Sequence, residues 1–118
     1  MSQEHAAAQN MRHVLEHMVH TLATGTERIQ QRLADAYDYS RFGDQTNLSH
    51  DLPPGIQALQ IDLRAALSTV HDAERGQATA SAARLSDDQC VIFARRIIAA
   101  EHEIRHLCGN EAAPGPPR

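Results

Sequence analysis

Apolar residues recur every third or fourth position along three stretches of this chain, and that spacing dictates helices. The first set is Met11, Leu15, Met18, Leu22, Ile29, Leu33 and Ala36. The second is Ile56, Leu59, Leu63, Ala66, Leu67 and Val70. The third is Phe93, Ile97, Ala100, Ile104 and Leu107. Such steps place each set on one face of an α-helix, where it must be buried against a neighbour. The expected fold is all-α: a helical bundle of three long helices, or four if the first breaks near Gly25, completed by homodimerisation. Tyr37, Tyr39, Phe42 and Phe93 are the only aromatic residues, which also favours helices over a sheet. At 118 residues the chain is expected to form one domain with a modest core.

Local signals set the expected boundaries. The first helix should run from about Glu4 to Tyr37 or Asp38. Thr24 and Glu27 have the spacing of a capping box, yet the apolar stripe stays in phase from Leu22 to Ile29. One helix of about 50 Å, bent at Gly25, is the expectation. Residues 39–53 form a connection rich in turn formers, and Pro53-Pro54 suit the first turn of a second helix. That helix should reach Arg75, with Gly76 after its end. Ser86-Asp87-Asp88-Gln89 is a second capping box, with two acids at the positive end of the helix dipole. The third helix should run to Cys108 and stop at Gly109. The domain is then 1–109, and 110–118 a disordered Pro-rich tail.

Composition bounds the partners. The formal charge is −4, and all eleven basic residues are arginine. Without a basic run there is little to neutralise phosphates or anionic lipid, so neither a nucleic-acid nor a membrane partner is expected. No apolar run reaches the length of a bilayer span, and the polar start Ser2-Gln3-Glu4-His5 is not a signal core. Cys90 and Cys108 fall on one expected helix, about 27 Å apart, too far for a disulfide. Free thiols suit a reducing, cytoplasmic location.

Eight histidines stand out in a chain of this length. His13, His17 and His20 follow at i, i+4 and i+7, and His102 and His106 at i, i+4. Imidazoles one helical turn apart can chelate zinc or nickel, so these five are the candidate metal ligands. Both sets point away from the apolar stripes, whereas bundle metal sites are built inward. His13-x-x-Glu16-His17 also has the H-x-x-E-H spacing of inverted zinc proteases, and Glu103-x-x-His106 is half of a di-iron carboxylate pattern.

Two segments resemble known families. Ser49-His50-Asp51-Leu52, with Pro53 and Gln57 following, resembles the phosphoacceptor segment of sensor histidine kinases. The resemblance implies His50 as the phosphorylated residue and Asp51 as its acid/base neighbour. Here Pro53-Pro54-Gly55 follow at once, which places His50 ahead of a helix rather than within one. Arg95 or Arg96 with His102 resembles the Arg–His pair of HEPN-type ribonucleases, small all-helical dimers. That resemblance implies His102 as acid/base and Arg95 as phosphate stabiliser, since Arg95 shares the His102 face while Arg96 lies about 120° away.

Neither segment assembles a catalytic constellation by itself. The expected function is therefore that of a non-enzymatic interaction protein, an adaptor, regulator or inhibitor that binds another macromolecule, most simply a protein. Transition-metal binding is the alternative, and a HEPN-like ribonuclease or a His phosphotransfer protein a further one. The third helix carries more apolar surface than one stripe needs. Val91, Ile92 and Ile98 lie off the Phe93–Ile97–Ile104 face and are the expected interface residues.

Overall fold

The computed structural model describes residues 3–44 and 51–112. Five helices form among them: α1 (Gln3–Thr24), α2 (Ile29–Ser40), α3 (Pro54–Ala66), α4 (Gln77–Ala82) and α5 (Asp87–Ala112). No strand occurs among the described residues. Ser49 and His50 of the phosphoacceptor-like segment lie outside them.

The expected continuous first helix is two helices. Thr24 does not cap a new helix: its hydroxyl donates back to the His20 carbonyl at 2.8 Å. Residues 25–28 turn the chain, and Arg32 fastens the turn. Its Nη1 donates to the Leu22 carbonyl and its Nε to the Glu27 carbonyl, both at 2.9 Å. A Cβ at Gly25 would meet the Arg32 Cγ and Cδ at 2.7 and 2.8 Å, so the residue there must be small. The α2 N-cap, Arg28, is extended and makes no side-chain cap bond. α1 and α2 pack against each other across this turn.

The expected second helix also ends early, at Ala66 rather than Arg75. The backbone donors beyond it have other partners. The Val70 N–H donates to the Ser81 hydroxyl at 2.9 Å. The Asp72 carboxylate accepts from the N–H groups of Glu74 and Arg75, each at 2.9 Å. Gly76 has φ +90°, a conformation other residues adopt at a cost, and it precedes α4 instead of closing α3. Five helices thus stand where three or four were expected.

α5 begins as expected. The Gln89 N–H donates to the Ser86 hydroxyl at 3.1 Å, and the Ser86 N–H donates to Gln89 Oε1 at 2.8 Å. Both halves of the capping box are formed. At its other end α5 runs through Gly109 to Ala112. A glycine inside a helix weakens it by about 1 kcal/mol but does not have to end it. Residues 110–112 therefore belong to the helix and not to the expected tail.

The stripes build the core. Met11, Leu15, Met18, Leu33, Ala36, Ile56, Leu59, Leu63, Ile97 and Ile104 are fully or almost fully buried. α5 packs on α1, α2 and α3, and α4 packs on α2. Gln30 ties the starts of α2 and α5 together, its Nε2 donating to Asp87 Oδ1 at 2.7 Å and to the Leu85 carbonyl at 3.2 Å. Since α1 reverses into α2, α1 runs antiparallel to α5. Phe42 and Leu52, from the connection, are buried as well. Gln60 is buried among them and donates to the Phe42 carbonyl at 3.2 Å.

Candidate functional site

α3 and α5 lie side by side and form one face. Arg96 Nη1 is 3.0 Å from Asp62 Oδ2, and Gly55 lies beside Glu103. One pairing is near the start of α3 and late in α5; the other is reversed. The two helices are therefore antiparallel. Their seam is a shallow groove of about 170 Å³ lined by Gly55, Leu59, Arg96, Ala99, Ala100 and Glu103.

The outward side of this pair is unusually apolar. Cys90, Ile97, Ile104 and Cys108 mark the inward side of α5. At about 100° per residue, Arg95 lies roughly opposite them, with Ile92 on the flank toward α3 and Ile98 on the other. Ile92 is 57% exposed and Ile98 44%. Val91, beside Ile98, is half-buried. On α3, Ile56, Leu59, Leu63 and Leu67 face inward, and Ala58, Ile61 and Ala65 are exposed on the back. Ile61 is 67% exposed. α3 contributes apolar surface that the sequence reading assigned to α5 alone. The signal was present in the chain: between Gly55 and Leu67 only Gln57, Gln60, Asp62 and Arg64 are polar, so the helix is apolar on more than one face.

The α1 histidines lie elsewhere, whereas His102 and His106 share the outward side of α5 with Arg95. His13, His17, His20, His102 and His106 are all exposed. His13 Nδ1 is 3.8 Å from Glu16 Oε1. Arg105 Nη2 lies 3.3 Å from His102 Nδ1 and also 3.3 Å from the buried Glu101 carboxylate. Among the described residues, no three His, Cys, Asp or Glu side chains converge where they could hold a metal ion. Arg95 and His102 share the outward face of α5, as their spacing requires, both in open solvent. Among the described residues no helix is long and apolar enough to cross a membrane.

The remaining reactive groups are damped by their surroundings. Cys90 and Cys108 are both buried, and neither is in a disulfide. Burial, with the nearby Asp87 charge, pushes the Cys90 thiol up and away from the reactive thiolate. Near the end of α2, burial raises the Tyr37 hydroxyl, and burial with the Asp35 charge raises the Asp38 carboxyl. Tyr37 lies across Gly43, where any Cβ would collide with its ring and hydroxyl. Comparison with protein-family models, with curated proteins and with solved structures finds no match.

Proposed function

We propose that this chain is a non-enzymatic interaction protein, a helical bundle that acts by presenting its α3–α5 face to another macromolecule, first of all a second copy of itself. The supporting observation is the exposure of Ile61 and Ile92 on that face, with Ile98 exposed on the far flank of α5. Large aliphatic side chains clustered on a surface mark interaction sites, whereas single ones are ordinary. Ala58, Ala65 and Ala99 let another helix approach closely, and the face carries both signs of charge, in Asp62, Glu103, Arg95 and Arg96. A mixed-sign apolar surface can match itself across a two-fold axis. Two buried cysteines outside any disulfide fit a reducing, cytoplasmic setting.

The experiment is native mass spectrometry of the intact chain beside its Ile61→Asp and Ile92→Asp variants. The wild type should give a dimer and each variant a monomer of unchanged helix content by circular dichroism. A wild-type monomer at micromolar concentration would remove the self-association, and unchanged dimer in both variants would remove this face.

Metal binding is the second reading, favoured by the exposed one-turn spacing of His13 with His17 and of His102 with His106. The same spectra recorded with zinc or nickel distinguish it. It predicts a stoichiometric adduct that His17→Ala and His106→Ala abolish.

A further inference from the structure

A second cleft lies away from the α3–α5 face, between the α1–α2 turn and α4. It encloses about 340 Å³ and is lined by Glu27, Arg28, Gln30, Gln31, Arg75, Thr79 and Ala83. That volume is in the range of small-molecule sites. Its walls come from two segments distant in sequence, each held in place. Arg32 fastens the turn carrying Arg28 through two carbonyl contacts. Asp72 fastens the turn carrying Arg75 through two backbone N–H groups.

The chemistry of the lining selects a ligand class. Arg28 and Arg75 are both exposed, and neither has a carboxylate within ion-pair distance among the described residues. Both guanidinium groups, from separate segments, line this one cleft. Thr79 adds a third donor: its oxygen already accepts from Gln31 Nε2 at 3.3 Å, and its own hydroxyl proton has no acceptor among the described residues. Glu27 is the single carboxylate in the lining and opposes an anion. The lining itself holds two cations against one acid, while Asp72, which accepts from the Arg75 N–H, sits close enough to Arg75 to offset part of its charge. Guanidinium forks match phosphate oxygens, and a hydroxyl completes a set of donors suited to a tetrahedral group.

We propose that this cleft binds a phosphate monoester, with Arg28 and Arg75 gripping the phosphate and the Thr79 hydroxyl donating to it. The site is independent of the interaction face. The two can fail separately.

The probe is inorganic phosphate, titrated into the ¹⁵N-labelled full chain at pH 7 and constant ionic strength, read by backbone amide shifts. Saturable shifts confined to residues 27–31 and 75–79 are expected. Arg75→Gln should weaken binding about ten-fold, the usual value of a charge-assisted contact. Glu27→Gln should tighten it, and Arg64→Gln, on α3, should leave it unchanged. Each replaced side chain is exposed, so folding is not at stake. Shifts spread over the whole surface, an Arg64→Gln loss equal to that of Arg75→Gln, or equal shifts with acetate would each overturn the proposal.

Discussion

Asp38 shows how one side chain can work against its own helix. It sits in the last turn of α2, where the backbone carbonyls already concentrate negative charge and no basic side chain offsets them. Burial and the Asp35 charge raise its carboxyl above the ordinary 3.8. The folded chain therefore holds this proton more tightly than the unfolded chain does. Stability falls as pH rises from 3.8 through the raised folded value, and above that window the cost is constant. Asp38→Asn removes the cost. The variant should exceed the wild type by about 0.5 kcal/mol at pH 7, a figure kept small by solvent screening. Urea denaturation at a series of pH values checks this. The two stabilities should converge below pH 3.8, and a constant gap there would assign the gain to something other than ionisation. No sequence pattern marked Asp38, because its shift depends on how deeply α2 is set into the fold.

At the level of elements, the chain was legible where a structure is written in adjacent residues. The Ser86–Gln89 box has both of its bonds within three residues, and it forms as read. Ser86→Ala should cost about 1 kcal/mol, the usual value of an N-cap. Thermal melts by circular dichroism measure it, and no change in midpoint would mean the cap adds nothing here. The first stripe misled for a definite reason. Leu22 and Ile29 are seven residues apart, two full turns, so a straight helix keeps them in phase. Two helices folded back on a shared core bury the same residues. What decides between them is Arg32, which reaches carbonyls five and ten residues away. The early end of α3 has the same origin: Ser81 captures the Val70 N–H from eleven residues away. Phe42 carries no periodic signal at all, yet it is among the largest fully buried side chains.

For the whole molecule, the burial of the stripes was readable and their arrangement was not. Which helix touches which depends on reversals that no stripe encodes. The sequence pointed to surplus apolar surface on α5, and its three named residues do lie on the outward side of that helix or its flanks. The matching surface on α3 emerges only once the antiparallel pairing is known. The exposed histidines show the converse limit: a one-turn spacing fixes two imidazoles on one helix but says nothing of a third group opposite. α3 is also the helix with the thinnest attachment, packed chiefly on α5 and bridged to it by the partly exposed Asp62–Arg96 pair. Its amides should exchange with deuterium faster than those of α1 and of the centre of α5, and Asp62→Ala should accelerate them further while leaving α1 unchanged. Uniform protection across the three helices would contradict that ranking.

The antiparallel contact of α1 with α5 also sets a timetable. About sixty residues separate the end of α1 from the start of α5. At ribosomal speeds that interval lasts roughly 3–12 s. Throughout it, α2 can cover only part of the α1 stripe, and the remainder of Met11, Leu15 and Met18 faces the cell before its covering helix has been synthesised. Each newly made chain passes through that vulnerable interval, and a nascent-chain chaperone would find a binding site on the uncovered stripe of α1.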